Sequence, residues 1–197
     1  MKKGLIVILA IVALFVMWGV GIYNGLVSKQ ETVETAVGNV QTAYQKRADL
    51  IPNLVATVKN YAEYEASTLE AVVAARAKAT STTLDANNLT EENMKAFQAA
   101  QDQLSSSLSR LLVTVEKYPD LKANQNYLDL QSQLESCENS IANARREFNE
   151  KAREYNTYLR RFPNSIIASM FGFEKKPYFE ASEGAQQAPN VGDLFNN

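Results

Sequence analysis

Residues 120–162 read DLKANQNYLDLQSQLESCENSIANARREFNEKAREYNTYLRRF, a run of 43 residues with neither glycine nor proline. Within it Tyr127, Leu130, Leu134, Cys137, Ile141, Ala144, Phe148, Tyr155, Leu159 and Phe162 recur mostly every three or four positions. That spacing places them in one narrow stripe along a helix. As one helix the run is about 64 Å long, at roughly 1.5 Å per residue. The opposite side carries oppositely charged pairs one turn apart, such as Arg146–Glu150 and Glu147–Lys151. Arg160 and Arg161 fall at its negative end, and Pro163 ends it. A helix so long and so narrowly striped must lie lengthwise against others, so the sequence predicts an all-α fold.

Working back from it, Met94, Phe97, Leu104, Leu108, Leu111, Val115 and Tyr118 form the stripe of another helix. Thr90 is placed to cap its start ahead of Glu91 and Glu92, and Pro119 stops it. Residues 81–88, STTLDANN, make the clearest loop. Further back, Val33, Val37, Val40 and Tyr44, then Leu54, Val58, Tyr61, Leu69 and Val72, predict a first helix reaching about Thr80. Pro52 removes a backbone donor and crowds the carbonyl of Ala48, so a kink or short break is expected near Leu50–Pro52. No glycine occurs between Gly38 and Gly172, which excludes a strand-rich fold with its frequent turns. The expected body is an elongated antiparallel bundle of three long helices plus a short C-terminal one around Ile166–Phe171.

At the other end, Gly4–Ser28 carries no charged side chain over 25 residues. About 20 apolar helical residues cross the roughly 30 Å core of a bilayer, so this run is read as a transmembrane helix. It is longer than a signal-peptide core and no small-residue cleavage site follows, which favours an uncleaved signal anchor. Lys2 and Lys3 precede the span, and Lys29 is the only base just after it. The positive-inside rule then places the amino end in the cytoplasm and the body outside. No turn residue separates Tyr23 from Val33, so the anchor is expected to continue into the first bundle helix. The domains are therefore a short tail at 1–3, the transmembrane helix at 4–28, the bundle at 29–173 and a polar tail at 174–197, disordered towards its end by composition.

Net charge is −2 and there is no histidine. A near-neutral chain does not supply the basic face that nucleic acid requires. With Cys137 the sole cysteine, no internal disulfide and no usual zinc, haem or Cys–His set is possible. Cys137 sits on an apolar stripe beside Glu135 and Glu138, which disfavours a thiolate and identifies it as a core residue. No phosphate-loop, dinucleotide, metalloprotease or nucleophile-elbow motif occurs, and no pair of carboxylates is marked out for acid–base work. No cofactor and no enzyme activity are expected.

Three blocks stand out in order: KRADLIPNLVATVKNYAEYEASTLEAVVAAR at 46–76, the run from Arg110 to Pro163, and MFGFEKKPYFEA at 170–181. Together they resemble the LemA family, bacterial proteins with a short amino end, one transmembrane helix and a helical-bundle domain. The resemblance implies this same architecture, a bacterial inner-membrane location and no assigned catalytic residues. It also implies a context shared by some relatives: envelope stress, membrane proteases or magnetosome membrane formation. The family is described with its short amino end outside, opposite to the charge count, so the orientation is contested.

Two groups of candidate site residues follow. Arg47, Asp49, Pro52 and Asn53 surround the carbonyl that the proline frees, and form either a polar docking notch or a kink whose neighbours satisfy it. Gly21 and Gly25 make a G-x-x-x-G pair that either brings two transmembrane helices together or is two glycines that a helix tolerates near the end of the span. The expected function is a non-enzymatic scaffold or adaptor of the bacterial envelope. Its expected partners are the lipid bilayer, further copies of itself as a homo-oligomer, and a membrane protease or other envelope protein. A regulatory partner of a membrane protease or transporter is the alternative, and an envelope hydrolase using carboxylates a second one.

Overall fold

The structure is a computed structural model that describes residues 2–61 and 66–180. Among the described residues six helices follow one another: α1 (Lys2–Lys59), α2 (Ala66–Ser81), α3 (Glu91–Val115), α4 (Pro119–Lys122), α5 (Gln125–Arg160) and α6 (Asn164–Phe171). Among the described residues there is no strand, so the fold is all-α as the stripes predict. α1 runs unbroken for 58 residues, about 87 Å at roughly 1.5 Å per residue. The apolar run and the first bundle helix are therefore one rod.

The predicted break near Pro52 does not occur there, since Pro52 lies inside α1. Instead the chain leaves the helix after Lys59 and comes back as α2. Residues 60–65 contain no glycine or proline that would announce the change. What forces the reversal is packing: Ile51, Leu54 and Val58 bury themselves with Leu69, Val72, Ala75 and Ala79 in one cluster. A second interruption splits the long C-terminal helix. Asn124 accepts a hydrogen bond from the Tyr127 amide at 3.2 Å and so caps α5, leaving α4 as a single turn.

α1, α2, α3 and α5 then alternate in direction. Arg76 of α2 reaches Ala48 of α1, and Gln41 reaches Leu84, so these two run antiparallel. Gln101 of α3 reaches the Ala79 carbonyl, and Lys78 reaches Gln103. Lys29 pairs with Glu154 and Arg47 with Glu138, which sets α5 antiparallel to α1. The result is an up-down-up-down arrangement on α1. Thr90 caps α3 by accepting from the Asn93 amide at 3.1 Å, as its sequence predicts.

The interior has three parts. A distal cluster from Ile51 to Leu134 is aliphatic apart from Tyr127. A middle cluster is rich in rings: Tyr44, Phe97, Phe148, Tyr155 and Phe179. A small basal cluster joins Ile22, Leu26 and Ala168. Below it the apolar residues of α1 from Leu5 to Val20 lie open, for example Leu5 at 61% and Leu14 at 66% exposure.

Candidate functional site

The polar centre of the bundle is Arg47, buried to 1% exposure on α1. Its Nη1 donates to Ser105 Oγ at 2.8 Å and to Glu138 Oε1 at 2.7 Å. Its Nη2 donates to Gln101 Oε1 at 2.8 Å and to the Gln101 carbonyl at 3.3 Å. The guanidinium also lies 5.2 Å from the centre of the Tyr44 ring. Gln101 in turn donates to the Ala79 carbonyl at 3.1 Å, so one side chain links α1, α3 and α5 directly and α2 through a relay. Arg47 Nε is the one buried side-chain nitrogen or oxygen among the described residues that lacks a hydrogen-bond partner. Such a group holds the helices in register, because a slipped helix strands a buried charge.

The other notch residues do not converge on Arg47. The Ala48 carbonyl that Pro52 leaves free accepts from Arg76 Nε at 2.8 Å. This is how α1 stays helical through the proline, and no local pattern names Arg76 as the donor. Asp49 accepts from Gln45 at 2.7 Å, the Asn53 carbonyl accepts from Thr57 at 2.9 Å, and Pro52 faces outward. Above Arg47 lies a shallow groove of about 520 Å³ between α1, the end of α2 and α3, lined by Gln41, Gln45, Asp49, Thr80, Phe97 and Gln101.

The titratable groups are set for packing. Burial pushes the Tyr44 hydroxyl up, against the opposing pull of Arg145 and Arg47. Tyr155 is pushed up to about 12 by burial and then by Glu174, and it donates to the Glu174 carbonyl at 3.0 Å. Burial and then Glu138 push the Cys137 thiol up, which disfavours the nucleophilic thiolate. Cys137 is half-buried, less enclosed than its stripe suggests. Glu135 and Glu138 share a groove of about 360 Å³ with Ser105 and Ser109, and Glu138 there is ion-paired with Arg47. Among the described residues no group of three or more His, Cys, Asp or Glu is arranged to hold a metal ion.

At the foot of the bundle the two glycines part company. A Cβ on Gly21 would meet nothing within 4 Å. One on Gly25 would sit 2.3 Å from Tyr158 Oη, so Gly25 admits a ring from α5 of the same chain. Lys29 lies 5.9 Å from the centre of that ring and 3.5 Å from Glu154. α6 closes this end. Ile167 lines the same shallow recess as Gly19, and Phe171 and Phe173 stack edge-on against Tyr23 at 4.9 Å and 5.6 Å. Gly172, at φ 72°, takes the left-handed turn that ends α6, and the Phe173 amide closes on the Ala168 carbonyl at 3.0 Å.

From there the chain climbs back, and its composition hides what it does. Residues 174–180 are extended and docked along α5, although their polarity places them in the tail; the remainder of that tail lies outside the described residues. Asn156 exchanges two hydrogen bonds with the Lys176 backbone, 2.8 Å and 2.9 Å. Asn149 does the same with Phe179, at 2.9 Å and 2.8 Å. Phe179 inserts between Phe97 and Phe148, with ring centres 6.4 Å and 5.2 Å away. The sequence signal for this strap is two asparagines spaced two turns apart on an otherwise ordinary helix.

With this geometry in place, a sequence model of the LemA family matches residues 36–192. The chain is 27% identical over 176 residues to the magnetosome protein MamQ of Magnetospirillum gryphiswaldense, covering 80% of this chain and 64% of that protein. It is 26% identical over 192 residues to magnetosome protein MamQ 2 of Paramagnetospirillum magneticum, covering 88% of this chain and 70% of that one. Protein LemA of Metamycoplasma hominis is 24% identical over 185 residues, covering 94% of this chain and 81% of its own length. The chain thus spans under two thirds of the first of these relatives.

Proposed function

As the chain belongs to the LemA family, we propose that it acts as a single-pass, membrane-anchored helical scaffold or adaptor of the bacterial envelope, without a reaction of its own. The observation that carries this reading is the continuity of α1. The apolar run and the bundle share one helix, so the body is held at a set angle to the bilayer instead of trailing on a linker. A second support is the interior, in which Arg47 ties the helices together. The names of the relatives describe a magnetosome protein and a family, not a reaction.

The body faces outward across the bacterial inner membrane, following the charges beside the span. New cysteines beside each end of α1's apolar run, in a Cys137→Ala background, test this by their labelling with a membrane-impermeant reagent. Copies associate with one another or with a membrane protein. Crosslinking full-length protein in its native membrane should give a discrete adduct. A strictly monomeric protein that captures no membrane partner would sink the scaffold reading. One specific protease or transporter in the adduct would replace it with the regulatory one, for which the groove above Arg47 is the suited surface.

A further inference from the structure

α6 is small, apolar and open. Phe162 is 83% exposed, Met170 71%, Phe171 59% and Ile166 51%. Among the described residues its inner side, through Asn164, Ile167, Ala168 and one edge of Phe171, is occupied by α1 and the end of α5. A patch of this kind on a soluble domain would be a liability. Here its position accounts for it, because α6 lies against Val16–Tyr23 of α1, at the end of the apolar run. We propose that α6 and Phe162 form a second membrane-inserted element, lodged in the interfacial layer of the bilayer beside the anchor.

Lengths support this. Lys3 marks one end of the apolar run, and Ile22 is the first of its residues to be buried by the bundle. The free stretch, Gly4–Gly21, is 18 residues long. At about 1.5 Å per residue it measures about 27 Å, slightly less than the roughly 30 Å hydrocarbon core. The core must then extend past Gly21 to the level of Tyr23, where Phe171 stacks. An amphipathic helix at this boundary typically sinks its apolar side about 5–10 Å into the headgroup and acyl layer.

Charge agrees with that level. Lys29 is six residues beyond Tyr23, about 9 Å further along the rod at roughly 1.5 Å per residue. There Lys29, Arg153 and Arg161 line a recess of about 270 Å³ that also holds Glu154 and Tyr158. Three bases against one acid at phosphate height suit anionic headgroups. The occupant of the patch is therefore lipid, continuous with the lipid around α1, and the inference rests on α1 being a membrane anchor.

Depth-dependent quenching tests both separately. Trp18 is the only tryptophan and lies within the anchor. Full-length protein is reconstituted in vesicles of phosphatidylcholine and phosphatidylglycerol, with and without bromine on the acyl chains. Trp18→Phe carrying Ile166→Trp or Met170→Trp should lose most of its emission to the brominated lipid and shift to the blue. Val113→Trp in the same background, on the exposed distal end, should keep its emission. If the tryptophans at 166 and 170 behave like the one at 113 while native Trp18 is quenched, α6 stands in water and the proposal falls with the anchor intact. If they shift to the blue unquenched, and Met170→Cys in a Cys137→Ala background crosslinks between copies, a second chain covers the patch and the proposal falls. An unquenched Trp18 removes the anchor and this inference together.

Discussion

The distal and middle parts of the bundle solve the same packing problem differently. Distally, Ile51, Leu54, Val58, Leu104 and Leu111 fill the interior with aliphatic side chains that any helix-stripe pattern anticipates. In the middle the interior holds a buried guanidinium, a cluster of rings and a strap fastened by asparagines. Aliphatic packing tolerates substitution of similar volume, whereas a buried polar network fails when one member is lost. The first kind of core supplies cohesion and the second fixes which helix faces which.

Replacing Arg47 is the largest expected break in that contrast. Arg47→Ala removes four hydrogen bonds, takes the donor from the buried Gln101 side-chain oxygen and leaves a cavity, for a combined loss of about 3–5 kcal/mol. Arg47→Met keeps the volume and should recover much of this loss in thermal melts of the full chain in detergent, while loosening register. Leu54→Ala, its distal counterpart, should cost about 2–5 kcal/mol in proportion to the cavity left, and no volume-conserving polar replacement should recover that loss. Equal recovery at both sites would erase the distinction.

Asn156→Ala comes next. It strips the Lys176 backbone of two partners and should cost about 1–3 kcal/mol, with early proteolytic cutting near residue 176 as the sharper readout.

Alkaline pH gives a smaller, signed effect. Tyr155 ionises at about 12 in the folded chain against an ordinary value of 10.0, because burial disfavours the phenolate. The unfolded chain therefore loses this proton first. Stability from this group is intact below pH 10 and falls between pH 10 and about 12, by at most roughly 1.4 kcal/mol per pH unit. Tyr155→Phe should lower stability at neutral pH, through the lost bond to Glu174, yet flatten this alkaline decline in urea titrations. The smallest change is Gly25→Ala. The added methyl would meet ring carbons of Tyr158 as well as its hydroxyl, so the half-exposed ring must swing outward. A helix-propensity gain of about 1 kcal/mol offsets part of that loss, leaving a small net destabilisation. A large loss would mean that the Tyr158 contact carries more of the basal packing than its half-exposed position indicates.

What the sequence revealed follows from the range of the interactions. The α1, α3 and α5 stripes and the Thr90 cap are local patterns, and all were legible. The chain reversal after Lys59 was not, since Arg76 meeting the Ala48 carbonyl joins residues far apart in sequence and leaves no periodic trace. Residues 174–180 were misleading for a related reason: backbone bonded by Asn149 and Asn156 needs no apolar pattern of its own beyond Phe179. Local spacing shows Arg47 only as a neighbour of the proline-freed carbonyl, whereas its partners come from α3 and α5. The Gly21–Gly25 spacing likewise carries no trace of Tyr158, which lies beside Gly25 in the same chain.

The unbroken α1 has one more consequence, which concerns azimuth. Two bodies on a single helix are fixed in angle about its axis as well as in height, because each residue turns the rod by about 100°. One residue inserted between Ser28 and Lys29 would swing the bundle by about that amount around the span, carrying α5 and its basic recess away from the side on which α6 meets Tyr23. With α1 as the proposed span, the chain gives its apolar segment a compass bearing, and each side of the bundle would look out along one direction in the plane of the bilayer.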